Sequence, residues 1–183
     1  MWLIPIAAIG LIVIWVVATY NGFVTLRNRA NNAWADIDVQ LKRRHDLVPN
    51  LVETVKGYAG HEKGVLENVT KFRSMAMQAQ SAEERAESEN MLTAALKTLF
   101  AVAENYPQLK ADQNFRDLQA QLAELEDQIQ MARRYYNAIV RDLNTKREMF
   151  PSNIIANMFG FTQMEYFQIE NEEEREPVQV KFT

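Results

Sequence analysis

The chain opens with an apolar run that contains no charged residue. Residues 2–20 read WLIPIAAIGLIVIWVVATY. At a rise of ~1.5 Å per residue this run forms a helix of roughly 28 Å, close to the ~30 Å hydrocarbon core of a bilayer. The rings of Trp2 and Tyr20 at its two ends suit the membrane–water interfaces, where aromatic residues are enriched. The pattern predicts a transmembrane helix over residues 1–20.

A cleaved signal peptide is the competing interpretation of this run. Signal peptides have a basic N-terminal region, a shorter apolar core and a small-x-small cleavage site. Here only Met1 precedes the run, the apolar stretch is longer, and the run ends in VATY, a poor cleavage sequence. We therefore expect an uncleaved anchor.

Basic residues near the run lie on its C-terminal side. Arg27 and Arg29 come first, and the sequence KRR follows at residues 42–44. The positive-inside rule places such residues in the cytoplasm. The expected topology is single-pass, with the N-terminus outside and the C-terminal domain cytoplasmic.

Beyond residue 20, apolar residues recur at helical spacings of three and four. The clearest stretch lies within residues 112–149, where the two spacings alternate over about four heptads, as in a coiled coil or helical bundle. This seam consists of Phe115, Leu118, Leu122, Leu125, Ile129, Ala132, Tyr136, Ile139 and Leu143. We predict that copies of the chain associate through these side chains.

Glycine, proline and a helix cap divide the pattern into four helical segments. Three glycines in residues 57–64 disfavour a helix there, Ser81 and Glu84 form a capping box, and Pro107 ends a helix. The predicted helices cover residues 21–59, 62–80, 82–106 and 112–149. Two segments of roughly 58 Å and two shorter ones that together match them suggest an elongated antiparallel bundle. One unbroken helix from the membrane to residue 80 is the alternative.

A short amphipathic helix is predicted over residues 152–161, with Ser152 as its N-cap. Its apolar side consists of Ile154, Ile155, Met158, Phe159 and Phe161. These side chains would contact either the bundle and another subunit, or lipid. The polar side lacks basic residues, which favours the first interpretation. Residues 164–169 and 178–182 would add short strands or extended contacts, with a solvated acidic linker between them.

The expected organisation is therefore an anchor over residues 1–20, a helical bundle over 21–150, and a short helix with an acidic tail over 151–183. Only 6 glycines and 5 prolines in 183 residues agree with an all-α fold. The net charge of −4 arises in the acidic tail, and the body shows no basic stripe, so we expect no nucleic acid as partner.

The residue types that carry catalysis or bind metals are scarce. Cysteine is absent, which excludes disulfides, thiolate ligands and a cysteine nucleophile. His45 and His61 lie outside any E-x-x-H or H-E-x-x-H pattern, and both are interpreted as surface residues. No Walker, G-x-G-x-x-G or G-x-S-x-G motif occurs. We expect no enzymatic activity, no metal and no cofactor.

A polar group interrupts the apolar seam near its middle. Tyr136 occupies a core position and is followed by Asn137 and preceded by Tyr135. Buried polar groups need hydrogen-bond partners, so these residues could line a ligand pocket or form a polar network that fixes the register of the helices. The network is the favoured interpretation.

Three blocks of the sequence resemble the LemA family of bacterial membrane proteins. They are AWADIDVQLKRRHDLVPNLVETVKGY at residues 33–58, NYPQLK at 105–110 and ARRYYN at 132–137, and the late Pro151 and Gly160 also fit. The resemblance implies one span in a bacterial inner membrane, a cytoplasmic helical bundle and no assigned enzymatic activity. It also implies a loose link to membrane proteases of the envelope stress response, and in a magnetosome branch to building an internal membrane compartment.

The leading hypothesis is a membrane-anchored, non-enzymatic scaffold that forms homo-oligomers through its helical seams. Two alternatives remain. One is an adaptor or sensor for a membrane protease or another membrane protein. The other is a membrane-remodelling protein that acts on the lipid bilayer.

Overall fold

The computed structural model describes residues 3–167 of the chain. In this part the regular secondary structure is entirely α-helical, which confirms the all-α fold class. The predictions for Trp2, for the acidic run of the tail and for residues 178–182 fall outside the described residues.

The described residues form four main helices and two short ones. They are α1 (Leu3–Tyr58), α2 (Lys63–Gln78), α3 (Ala82–Ala103), α4 (Pro107–Ala111), α5 (Gln113–Glu148) and α6 (Ser152–Met158). The four predicted segments correspond to α1, α2, α3 and α5. The gap between Tyr58 and Lys63 lies at the three glycines, so the alternative of one helix through to residue 80 is wrong.

The chain divides into two compact units. In the described part, unit 1 comprises residues 3–43 and 123–166, and unit 2 comprises residues 44–122 with residue 167. Helices α1 and α5 therefore each contribute one part to each unit. The predicted boundaries at residues 20 and 150 concern membrane, bundle and tail, and they stay predictions.

In unit 1, the first turns of α1 are apolar and uncovered. The most apolar 18-residue window of this helix has a mean hydropathy of 2.4, and 6% of that window is buried. Burial begins at Thr19 and Phe23 and recurs at Ala30, Ala33 and Ile37. Large apolar side chains are usually buried in a folded domain. Here they remain exposed along a helix long enough to cross a bilayer.

Unit 2 has one apolar cluster that collects side chains from five helices. Its fully buried members include Leu51 on α1, Val69 on α2, Leu99 on α3 and Leu109 on α4, and Phe115 represents α5. Helices α2 and α3 are joined by a short connection and pack directly against each other.

The start of α3 shows the predicted cap, with one difference. The Ser81 hydroxyl accepts a hydrogen bond from the Glu84 N–H at 3.0 Å, as expected. The Glu84 carboxylate accepts from the N–H of Gln80 at 3.0 Å instead of from that of Ser81. Both bonds still satisfy backbone donors at the N-terminus of the helix.

The end of α3 comes earlier than predicted. The helix stops at Ala103 instead of Tyr106, and Pro107 begins the separate helix α4. Tyr106, which precedes this proline, has left the helical region of backbone space, with φ −117° and ψ 88°. Tight i→i−3 bonds from the N–H groups of Asn105 and Tyr106 complete the turn.

The predicted N-cap role of Ser152 is wrong. Pro151 holds the N-cap position of α6, and no side chain caps that helix. The Ser152 hydroxyl instead donates to the carbonyl oxygen of Lys146 at 2.6 Å, with the Met149 carbonyl at 2.9 Å. The Lys146 carbonyl lies in the last turn of α5, where the helix offers it no partner, while the Met149 carbonyl just beyond the helix also accepts from the N–H of Asn153 at 2.8 Å.

Candidate functional site

The seam of α5 is buried within the chain. Phe115, Leu122, Leu125, Ile129, Tyr136, Ile139 and Leu143 are each at most 7% exposed, and Leu118 is half-buried against the cluster of unit 2. The packing of a single chain thus uses most of their surface. Association of copies through these side chains stays a prediction.

The two adjacent tyrosines of α5, in unit 1, face different surroundings. Tyr136 is 4% exposed, whereas Tyr135 is 57% exposed. The Tyr136 hydroxyl donates to the backbone carbonyl of Glu165 at 2.9 Å, and its ring meets Trp34 edge-on with centroids 5.3 Å apart. Burial and the nearby Glu165 charge raise the pKa of Tyr136, so the hydroxyl stays protonated and able to donate.

Other polar side chains of α5 bind the same irregular segment. Asn144 makes two hydrogen bonds to the backbone of Met164, at 2.9 and 3.0 Å. Arg147 donates through Nε to the carbonyl of Phe161 at 3.0 Å. Residues 161–167 have no regular structure, so their backbone groups need such partners. This geometry suits the polar-network interpretation of the Tyr136 region, while a ligand pocket around Tyr135, Tyr136 and Asn137 stays a prediction.

Aromatic side chains join α1 to the region of α6. Phe161 stacks on Phe23 with ring centroids 4.9 Å apart, and Phe159 lies against Tyr20 at 4.8 Å. The guanidinium of Arg27 is 5.5 Å from the centre of the Phe161 ring. These contacts hold the short segment after α5 against α1 at the end of its apolar run.

The predicted apolar side of α6 splits into two groups. Ile155 and Phe161 are buried at 2% and 7% exposure and belong to the packing of unit 1. Ile154, Met158 and Phe159 are exposed. The first two side chains are therefore unavailable for a membrane or subunit contact, and the other three remain candidates.

Lys146 of α5 packs against the same region of α1. Its ammonium lies 5.0 Å from the centre of the Phe23 ring, and its tip occupies the space that a side chain at residue 22 would need. Gly22 therefore permits a close approach of Lys146 to α1. Partial burial lowers the pKa of Lys146.

Unit 2 contains a buried ionic cluster, which we call the Arg44 cluster: Arg44, His45, Arg73, Glu89 and Thr93. Arg44 and Glu89 are 1% and 0% exposed and form an ion pair between α1 and α3. Arg44 also donates to the Thr93 hydroxyl at 2.8 Å, and His45 Nε2 lies 2.8 Å from the second Glu89 oxygen. Arg73 on α2 donates to the backbone carbonyl of His45 at 2.7 Å.

The partners of Glu89 keep its carboxylate charged. Burial by itself raises the pKa of such a group, but the hydrogen bond from His45 and the positive charge of Arg44 outweigh burial. The pKa of Glu89 therefore lies below its ordinary value. One carboxylate oxygen pairs with Arg44 and the other lies 2.8 Å from His45 Nε2, and with the contact from Arg73 the cluster joins three helices.

The Arg44 cluster was missed from the sequence, and the interpretation of His45 as a surface residue is wrong. His45 is 8% exposed. The sequence does contain a sign of this cluster. Leu41, Arg44 and Val48 recur at the three- and four-residue spacing of buried positions on α1, and Glu89 lies at such a position on α3. Opposite charges at core positions of two helices predict a buried ion pair.

A shallow groove lies between α2 and α3. Its volume is about 280 Å³, just below the range of ordinary small-molecule pockets. It is lined by Val65, Asn68, Phe72, Met91, Ala94, Ala95 and Thr98. Most of these side chains are apolar, which suits a side chain of a partner helix.

An uncovered apolar helix followed by helical units is typical of single-span membrane proteins. A sequence model of the LemA family matches residues 33–182 of this chain. The protein therefore belongs to the LemA family, and its first helix is long and apolar enough to cross a membrane.

Curated relatives agree with this assignment. The chain is 27% identical over 175 residues to the magnetosome proteins MamQ 1 and MamQ 2 of Paramagnetospirillum magneticum, with 81% of this chain covered. The chain spans only 64% of the length of these two proteins. It is also 26% identical over 167 residues to Protein LemA of Metamycoplasma hominis, covering 89% of this chain and 75% of that one.

Proposed function

We propose that this protein is a non-enzymatic scaffold, anchored by α1 in the bacterial inner membrane, that self-associates at the cytoplasmic face. The observation that carries the proposal is the continuity of α1. This helix runs from Leu3 to Tyr58, so the apolar run continues into the helical body of the chain without a linker. A helical body joined in this way stays tethered to the membrane, as a scaffold requires.

The charges near the membrane end of α1 support the proposed orientation. Arg27 and Arg29 follow the apolar run within about two turns of helix and are exposed. Residues 3–26 carry no charge. Under the positive-inside rule this asymmetry retains the units in the cytoplasm.

The absence of catalysis is part of the proposal. The strongest cluster of ionisable groups, around Arg44 and Glu89, is buried and internally paired. Among residues 3–167, no three His, Cys, Asp or Glu side chains lie close enough to hold a metal ion. Arg44, Arg73 and Glu89 each contact a residue on another helix, so a role in holding helices together explains the cluster.

Self-association needs a surface other than the buried seam. On α5, Met131 and Tyr135 are 60% and 57% exposed and lie one turn apart on the same face. Large exposed apolar side chains that sit together favour contact with another protein surface. We propose this pair as the centre of contact between copies.

The test is the mass of the full-length protein in mild detergent, measured by light scattering beside negative-stain images. Assemblies of several copies are expected, and Met131→Glu with Tyr135→Glu should reduce them to monomers. The matched control, Gln121→Glu with Gln130→Glu, adds the same charge at exposed polar positions of α5 and should leave the mass unchanged. A monomeric wild-type protein would contradict self-association.

The buried seam is tested separately. Leu122→Asp with Ile129→Asp places carboxylates at positions that are 3% and 0% exposed. Burying an unpaired charge is costly, so this variant should unfold before it can disperse an assembly. Loss of assembly with an unchanged helical circular-dichroism signal would instead show that the seam forms the contact between copies.

A second candidate function is an adaptor for a membrane protease or another membrane protein, which the groove between α2 and α3 favours. A photocrosslinking residue at Ala94, which lines the groove, is compared with one at exposed Glu87 on α3. An adduct with a membrane protein that forms only from residue 94 supports the adaptor. Identical patterns from both positions argue against it.

A further inference from the structure

Unit 1 carries a group of exposed apolar side chains in and beside α6, which we call the α6 surface. It comprises Met149, Phe150, Ile154, Met158 and Phe159, with exposed fractions between 49% and 80%. Phe150 is the most exposed of the five, at 80%. Single exposed apolar residues are ordinary on proteins, but a group of this kind marks a contact surface.

The α6 surface lies in an uncharged part of the chain. Glu148 precedes it, and the next charged residue is Glu165. The intervening residues include Ser152, Asn153 and Asn157, which are polar but neutral. A segment without charge enters the boundary between headgroups and acyl chains at less cost than a charged one.

The position of the α6 surface connects it to the apolar run of α1. Phe159, a member of the surface, has its ring 4.8 Å from that of Tyr20. Tyr20 is the last residue of the uncharged apolar run and is itself 37% exposed. Tyrosine at the end of a membrane span settles at the interface. The α6 surface is therefore continuous with the predicted membrane boundary of α1.

We infer that the α6 surface inserts into the interfacial layer of the bilayer that α1 crosses, which gives the protein a second membrane contact. The inference rests on the proposed anchoring by α1 and adds a lipid-binding surface to it. The α6 surface adjoins Tyr20 through Phe159 and therefore lies at the membrane boundary. Side chains at that boundary meet headgroups and the first acyl carbons, so lipid is the occupant of this surface.

Basic groups beside the surface fit this occupant. Arg27 lies over the ring of Phe161, and Arg147 donates to the carbonyl of that residue. Lys146 is held over Phe23 in the same region. The lack of basic residues on α6 itself favoured a subunit contact. Helices α1 and α5, however, supply basic residues beside the α6 surface. Cations in this place suit lipid phosphates.

The experiment uses the full-length chain in liposomes of phosphatidylcholine and phosphatidylglycerol. The protein has no cysteine, so Phe150→Cys and Met158→Cys each provide one site for an environment-sensitive fluorophore. Leu11→Cys in the apolar run is the positive control, and Gln130→Cys at an exposed position of α5 is the negative control. Doxyl-labelled lipids then quench the fluorophores that touch the bilayer.

Several-fold stronger quenching at residues 150 and 158 than at residue 130 is expected, with emission shifted to the blue. Quenching at residue 11 alone would overturn the inference and leave the anchoring intact. No quenching at residue 11 would overturn both. A blue shift at residues 150 and 158 that depends on protein density without lipid quenching would assign the surface to a second copy, and would also overturn the inference.

A charge variant tests the surface by a second route. With the fluorophore at Ile154→Cys, the changes Phe150→Asp and Met158→Asp should lower quenching to the level of residue 130. The control, Gln121→Asp with Gln130→Asp, adds the same charge at exposed positions of α5 outside the uncharged segment and should keep most of the quenching. Equal loss in both variants would contradict insertion of the apolar side chains. Circular dichroism checks the fold of each variant.

Discussion

Both units bury polar side chains, but they give them different partners. In unit 2, Arg44 and Glu89 project from two helices and pair with each other. In unit 1, Tyr136 and Asn144 project from a helix and bond to the backbone of residues 164–165. A helix interior already satisfies most of its own backbone, so Arg44 and Glu89 pair through their side chains, although Arg73 of unit 2 also reaches a helix carbonyl, that of His45. Opposite an irregular segment, free backbone groups are available instead.

The two solutions differ in how much a single substitution should cost. Removing one member of a buried ion pair leaves a charge in the core without its partner. Removing a neutral hydrogen bond to the backbone leaves only a dipole unsatisfied, which costs less. The following substitutions rank the two units on this basis.

The largest effect is expected for Glu89→Gln. The substitution keeps the side-chain volume but removes the negative charge beside the buried Arg44 guanidinium, which should lower the free energy of unfolding by about 3–5 kcal/mol. Urea titration in mild detergent, followed by circular dichroism, measures the change. Glu87→Gln, at an exposed position of the same helix, is the control and should stay within about 0.5 kcal/mol of the wild type.

A double substitution tests whether the loss of stability comes from the charge on Arg44 or from the loss of polar contacts around it. Arg44→Met with Glu89→Leu removes both charges and fills the space with apolar atoms, so it should cost less than Glu89→Gln alone. A double variant that is the least stable of all would mean that the polar contacts to Thr93 and His45 matter more than the unpaired charge.

The next effect in size is expected for Asn144→Leu in unit 1. This change removes both bonds to Met164, but that residue is only half-buried and water can replace part of the loss, so the total cost should be about 2 kcal/mol. Faster amide exchange at Met164 should accompany the loss of stability. Thr145→Leu, one residue later and exposed, should change neither quantity appreciably. Equal effects of the two variants would show that the backbone bonds contribute little.

A smaller effect is expected for Tyr136→Phe. The variant keeps the ring against Trp34 and loses one hydrogen bond to the Glu165 carbonyl, which corresponds to about 0.5–1.5 kcal/mol. Tyr135→Phe is the matched control, because that hydroxyl sits on a side chain that is 57% exposed. Thermal unfolding of both proteins measures the difference, and a larger shift for Tyr135→Phe would reverse the assignment of the buried tyrosine.

The mildest perturbation of the Arg44 cluster is a change of pH. The pKa of Glu89 is lower in the folded protein than in the unfolded chain, so the unfolded chain binds more protons there. Stability from this group is thus present above the ordinary glutamate pKa of about 4.3 and is lost as the pH falls through the folded value. Comparing the free energy of unfolding of the wild type and Glu89→Gln across acidic pH measures the contribution of Glu89. An identical pH dependence of the two proteins would argue against that contribution.

Much of the helical pattern follows from local rules that act within one segment. The glycines within residues 57–64, the Ser81 cap and the alternating seam of α5 all act over a few residues, and the helices agree with them. The apolar run is equally readable, because its composition alone sets its preference for lipid over water. Family membership could also be read from sequence blocks of the chain, and the match over residues 33–182 confirms it.

Tertiary contacts decided which side chains are available for function. The spacing of the seam residues predicts an interface between copies, yet Ile129 and Leu143 are buried inside one chain. The spacing of α5 requires only that these positions be covered, and an intramolecular helix covers them as well as a second copy does. Likewise, Ile155 and Ile154 are identical in sequence terms, but packing buries the first and exposes the second.

What the sequence by itself determined is therefore the four main helices, the breaks between them, the apolar run and the family. Only the tertiary structure decided that Arg44, His45 and Glu89 form a buried cluster and that Phe150 and Met158 remain exposed. The physical reason is range. Helix formation and capping depend on neighbours within a turn, whereas the partner of Arg44 lies 45 residues away in the chain and is fixed only when the helices pack.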